Sequence, residues 1–340
     1  MTKDIYVRNP QTGLLETKEF AAMAQLATLR ISDPVATNLV QGFTNAELKG
    51  DQIFTPVKMA KEAGRFPAWG KEAFVIPGNL KRGIGEPVQR VNVLNSYVTM
   101  SLDEYALGAS IENRERNEWA GSPDSLVNGK LSVVAGKIAL YREYLQAVLA
   151  TTYTNYASTH RFSGAAKAWA TTGKAVKDMK DLIDLVLSYN GVRPDTVWFS
   201  PAAWSLWENN QSVIDCIKYG NSPANPTIVT EEATARLLKV KKVVVPNAVY
   251  GTGVGTGKPK GSALTQGFLW DSVATSAGCC ISGTGSGMEP AFGYTWERDN
   301  SPIVESYYDN ATKSQIWDYE HFFTPAITLN TAGAIYYSLA

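Results

Sequence analysis

Apolar positions along this chain change rhythm several times, and each change predicts an element. From Ser122 to Thr152 the larger apolar residues stand at Val127, Leu131, Val134, Ile138, Tyr141, Leu145 and Val148. Steps of four and three alternate, which is the period of a helix and not of a strand. Ser122 suits the N-cap, Pro123 the first helical position and Asp124 the positive end of the helix dipole. About thirty residues at roughly 1.5 Å each make a rod of about 45 Å. A second helix is predicted over Val176 to Tyr189, with Met179, Leu182, Ile183, Val186 and Leu187 on one face. Asn190-Gly191 is its stop. Thr196 to Phe199 reads as a buried strand, and Ser200-Pro201 opens a helix carrying Trp204 and Trp207. Thr230 caps a helix from Glu231 to Leu238, followed by a valine-rich strand from Lys241 to Val245.

Elsewhere the pattern is looser. Residues 1 to about 61 read as an arm, with a short helix from Lys18 to Arg30 that puts Phe20, Met23, Leu26 and Ala27 on one side. After Asp33-Pro34 the periodicity decays, interrupted by Gly42, Gly50 and Pro56. Gly70 to Pro87 is rich in Gly and Pro and carries Lys71, Lys81 and Arg82, so it predicts a long hairpin or projecting loop with a polar tip. Val91, Val93, Val98, Met100 and Leu102 make the return limb a strand. Tyr153 to Gly173 is irregular or short-stranded, and Gly251 to Gly261 is a flexible loop. The C-terminal part is β-rich, with strands predicted at Gly267–Ser276, Phe292–Glu297, Ile303–Tyr308, Gln315–His321 and Ala334–Ser338. A long hairpin is marginal in water unless it lies on something. A long helix beside such arms points to a part that other copies of itself complete.

Composition narrows the classes. The 340 residues allow two domains or one elaborated one, and 44% hydrophobic content allows a sizeable core. Lys+Arg and Asp+Glu are equal at 32 each, a balance unlike that of a dedicated nucleic-acid binder. Little net charge keeps copies apart, and 9 Trp with 16 Tyr favour association. Cys216, Cys279 and Cys280 form no disulfide framework and read as reduced thiols. MTKDIYVRNP has no apolar signal region, and no run approaches the roughly 18 apolar residues of a membrane span. The chain is expected to be made in the cytosol.

Catalytic, cofactor and metal signals are all weak, and none is expected. The glycine loop from Gly251 to Pro259 has Thr252 and Pro259 where a phosphate loop needs Gly and Ser/Thr. A nucleophile elbow needs Gly two residues either side of the serine, and Ser286 has Thr284 before it. His160 and His321 are the only imidazoles, and structural roles fit both. There is no CxxC and no HExxH. Asp103, Glu104, Glu112, Glu115 and Glu118 read as a solvated acidic face. Arg114 and Arg116 alternate with Asn113, Glu115 and Asn117, a pattern that suits ion pairs within or across subunits.

The order of these elements resembles that of the major capsid proteins of tailed double-stranded DNA bacteriophages, the Hong Kong 97-type fold. Phe66-Pro67-Ala68-Trp69-Gly70-Lys71-Glu72-Ala73-Phe74 is similar to the entry of the family's extended loop, and Tyr105-Ala106-Leu107 with Ile111 to Arg116 to its exit. Arg193 to Thr196 and Ser200 to Trp204 resemble a strand and helix of the axial lobe. Thr230 to Val240 and the valine strand resemble the next step, and Ala291 to Thr295 the return. The resemblance runs from about Gly42 onward.

It implies an α+β chain with an N-terminal arm (1–61), extended β-hairpin loop (62–118), peripheral domain with spine helix (119–175), axial α/β domain (176–300) and β-rich return (301–340). It further implies a shell protein of the virion. Such a protein assembles with itself into hexamers and pentamers and works beside a portal and scaffolding or decoration proteins. It encloses DNA without reading its sequence. Lys71, Lys81, Arg82, Arg114 and Arg116 are the expected inter-subunit contacts. An encapsulin-like nanocompartment shares the implied fold and stays open as an alternative. A hydrolase or nucleotide-binding enzyme built on a glycine loop is the alternative of another class.

Overall fold

The computed structural model describes residues 6–8, 15–17, 31–41, 45–68, 81–85, 87–88, 90, 96–167, 169–171, 173–220, 229–252, 265–287 and 289–339. The chain begins with β1 (Tyr6–Arg8), β2 (Leu15–Thr17), β3 (Ile31–Ser32), α1 (Pro34–Gln41), β4 (Thr55–Met59), β5 (Ala63–Ala68), β6 (Ser96–Ser101) and β7 (Asp103–Glu112). Next come α2 (Asn113–Glu118), the long α3 (Pro123–Thr151), β8 (Arg161–Ser163), α4 (Ala175–Asn190), β9 (Thr196–Phe199), α5 (Pro201–Glu208), α6 (Gln211–Gly220) and α7 (Glu231–Leu238). The rest is strand: β10 (Lys242–Val244), β11 (Val249–Thr252), β12 (Thr265–Phe268), β13 (Ser276–Cys280), β14 (Gly293–Arg298), β15 (Ile303–Asp309), β16 (Ser314–Ile327) and β17 (Gly333–Tyr337).

Two compact units share the chain. One holds residues 1–44, 104–138 and 300–322, and the other residues 45–103, 139–299 and 323–340. In the first unit β15 pairs antiparallel with the leading half of β16 and with the two residues of β3. Asp33 caps α1, accepting from the N–H groups of Val35 and Ala36 at 3.0 Å each.

The second unit carries the main core. Its five-stranded sheet runs β10-β9-β13-β17-β8, parallel at both ends and antiparallel in the middle. All four residues of β9 and all five of β13 are buried, the signature of strands covered on both faces. Trp169, Trp198, Trp207 and Trp270 are fully buried around it. Gly191 ends α4 in the left-handed region at φ 66°, where glycine has no Cβ to clash. A second cluster joins Met59, Met100, Tyr294 and Trp296, with Phe66 stacked on Trp296 at 3.8 Å between ring centroids. That cluster roots the hairpin β5–β6, whose antiparallel register runs from Ala63↔Ser101 to Ala68↔Ser96.

Several sequence expectations need correction. The helix expected at Lys18–Arg30 and most of the loop tip, Lys71 included, lie outside the described residues. The pattern does not decay after Asp33-Pro34: those two residues are the cap and first position of α1. Helix α6 was not foreseen; Asn210 orders its start by accepting from the Ser212 N–H at 3.0 Å. Gly267–Ser276 is not one strand, because Leu269–Asp271 closes a 3-10 turn that buries Leu269 and Trp270. The apolar stripe of α3 also breaks. Leu131, Val134 and Ile138 are buried as expected, yet Tyr141 is exposed and Glu143, Gln146, Ala147 and Ala150 are buried instead. The polar side chains turn inward because partners meet them there. Gln146 donates to Asp51 (2.7 Å) and Thr295 (2.8 Å).

Candidate inter-subunit surface

In the first unit every residue from Glu112 to Ser125 is exposed, and α2 buries nothing. A helix that is polar all round depends on side-chain pairs or on a partner. Arg114 pairs with Glu118 one turn on at 2.8 Å, and Lys130 reaches Glu115 at 2.6 Å and the Ser110 carbonyl at 3.0 Å. The Arg114–Glu118 pair is solvated on both sides and contributes at most ~1 kcal/mol. Glu112, Arg114, Glu115 and Glu118 surround an open pocket that Trp119 closes on one side.

Beneath Trp119 lies an apolar groove of about 470 Å³ between β7 and the first half of α3. Ala109, Leu126, Gly129, Val133 and Val134 line it. Trp119 is 47% exposed and Val133 59%, although both are large apolar side chains. A Cβ added at Gly129 would meet nothing within 4 Å, so the groove floor is open. In the second unit Lys81, Arg82 and Arg90 are exposed, with Ile84 wholly exposed and Val88 at 67%.

Of the expected contact residues, Arg114 and Arg116 stand together on α2, and Lys81 and Arg82 stand on the loop. The exposed apolar residues beside them, Trp119, Val133, Ile84 and Val88, and the open position at Gly129 were not singled out from the sequence. The legible signal was a lone tryptophan in the polar run from Asn113 to Asp124 and a lone isoleucine between Gly83 and Gly85.

Elsewhere both histidines, Ser282 and the cysteine pair are engaged or buried in the fold. His160 is buried, bonded to Thr159 at 2.9 Å and packed edge-on to Tyr189. His321 is buried beside Tyr319. Ser282 donates its hydroxyl to Asp195 at 2.9 Å. Cys279 and Cys280 are free and buried, and burial pushes the Cys279 thiol up to about 12. Among the described residues no three His, Cys, Asp or Glu side chains converge as a metal site, and no helix is long and apolar enough to cross a membrane.

No protein-family model matches the chain. Its sequence is 28% identical over 290 residues to the major capsid protein of Burkholderia phage BcepMu, covering 84% of this chain and 89% of that one. A phage-related protein from Bordetella bronchiseptica superposes with a TM-score of 0.71 at 22% identity, covering 92% of this chain and 99% of that one. The capsid of a native GTA particle gives 0.55 at 12% identity, covering 88% and 92%. The SrpI encapsulin of Synechococcus elongatus gives 0.51 at 13%, covering 93% and 94%. The fold is therefore that of phage capsid proteins, the Hong Kong 97-type class. The sequence relationship bears out the reading of the chain as a phage head shell protein, with the encapsulin the weaker structural match.

Proposed function

We propose that this chain is the major capsid protein of a tailed phage, copies of which close into an icosahedral head around double-stranded DNA. The observation that carries this reading is the 28% match to a phage major capsid protein along 84% of the chain, in the same fold. Hexamers and pentamers of the chain, joined to a portal and to scaffolding or decoration proteins, form the head. The chain has no catalytic role, is made in the host bacterial cytoplasm and ends in the virion. Residues 1–61 serve as the arm, 62–118 as the extended loop, 119–175 as the peripheral domain, 176–300 as the axial domain and 301–340 as the return. Lys71, Lys81 and Arg82 of one copy meet the acidic face at Glu112, Glu115 and Glu118 of another, where Arg114 and Arg116 set the register. The groove under Trp119 receives an aliphatic side chain from the neighbour. Burying one isoleucine there gains about 1.5–3 kcal/mol per contact, multiplied around a closed ring.

Electron microscopy of the expressed protein tests this reading. Shells or ring capsomers are expected in the wild type, and Val133→Asp should leave folded subunits that do not assemble. A discrete small oligomer unaffected by Val133→Asp would overturn it. The encapsulin alternative predicts shells that co-purify with a protein cargo and no DNA.

A further inference from the structure

Glu143 of α3 is a buried carboxylate without a countercharge of its own. It is 2% exposed. Its Oε1 accepts from the N–H of Lys49 (3.2 Å), the N–H of Gly50 (3.0 Å) and the indole N–H of Trp270 (2.7 Å). Its Oε2 accepts from the Gly50 N–H alone, at 2.8 Å. The surrounding cations are engaged elsewhere. Arg142 bridges Asp51 at 2.8 Å and Glu297. Lys49 Nζ pairs with Glu231 of α7 at 3.0 Å, and Lys58 of β4 with Glu297 of β14 at 2.6 Å. Lys242 of β10 donates to the Gln52 carbonyl at 2.6 Å. Among the described residues no ion pair includes Glu143. Asp51, on the turn that Glu143 holds, adds a second negative charge.

We propose that the turn at residues 49–54 is fastened to α3 by a proton-dependent clamp, in which one proton on Glu143 favours the closed turn and rising pH favours release. Geometry places the proton on Oε2, which shares a single donor. The three donors on Oε1 then stay in place, so protonation removes the uncompensated charge without undoing the clamp. Burial, with Asp51 adding to it, raises this carboxyl above the usual range against the pull of the N–H bonds. An opened turn returns the carboxyl to water and to its ordinary range. The closed state thus binds the proton more tightly. Its advantage is fully present below the ordinary range and is lost as pH rises through the raised value. The turn lies within the second unit, just ahead of β4, so the clamp governs how firmly residues 49–54 are held against α3.

Amide hydrogen exchange of the purified chain, corrected for intrinsic rates, tests the clamp between about pH 5.5 and pH 8. Protection of residues 49–54 should be several-fold greater at the acid end in the wild type. Glu143→Gln, which carries no titrating proton, should abolish that dependence. Should Glu143→Gln fold poorly, Asp51→Asn removes the neighbouring charge, keeps an acceptor for Arg142 and Gln146, and should move the response to lower pH. Protection that rises with pH, or a pH response unchanged in the variants, would overturn the proposal. The measurement needs no assembled shell, so its failure is distinct from a failure of the shell reading.

Discussion

Buried polar residues help to hold the second unit together around its apolar core. Asn210 is 2% exposed; its amide donates to the carbonyls of Trp169 (2.7 Å) and Gly173 (3.0 Å), while its oxygen accepts from Ser212. Asn210→Ala would strand two carbonyls and uncap α6, so we expect a loss of about 2–3 kcal/mol in a denaturant titration. Thiols offer a separate reading of burial. Cys279 and Cys280 lie inside β13 and burial raises both thiols, whereas Cys216 is exposed. Thiolate is the reactive form. Alkylation of unassembled native protein should therefore label Cys216 quickly and leave the other two untouched until denaturant is added. None of these buried polar roles was visible in the sequence, because each depends on partners far along the chain: Glu143 meets Gly50 and Trp270, and Asn190 meets Thr331.

At the scale of elements, local signals worked where a cap and a period agreed. Thr196–Phe199, Pro201–Glu208 and Glu231–Leu238 stand where strand, proline and cap placed them. Thr230 accepts from the Ala233 N–H at 3.2 Å, and Thr230→Ala should cost about 1 kcal/mol, measurable as a lower melting temperature. Gly129 sits inside α3 with open space at its Cβ. Gly129→Ala should stabilise the subunit by about 0.5–1 kcal/mol, while Gly129→Leu should fill the groove and suppress assembly without unfolding the chain. Periodicity failed in the second half of α3. There the apolar stripe through Tyr141 points outward, and Arg142, Glu143 and Gln146 turn in to ligands supplied by residues 49–51 and β14.

For the whole molecule, balanced charge and exposed apolar residues pull the same way. Formal net charge is zero, so no long-range repulsion opposes crowding of copies. Reversing Lys81 and Arg82 together to Glu should raise the concentration at which shells form. The effect should shrink as salt rises, because exposed charge pairs are screened over about 8–10 Å. Light scattering during assembly reads both.

The length of the long helix, its start at Pro123 and the capped elements at Thr196–Phe199, Pro201–Glu208 and Glu231–Leu238 were written in the chain itself, since each depends on neighbours within a few positions, and the neutral charge balance is a plain sum over the residues. Which face of that helix turns inward beyond Ile138, which carboxylate is buried and where an apolar groove stays open were decided by the tertiary structure. Those properties depend on contacts between different elements, from 20 positions apart at Lys130 and Ser110 to 127 at Glu143 and Trp270, and a periodicity read along one element carries no information about them.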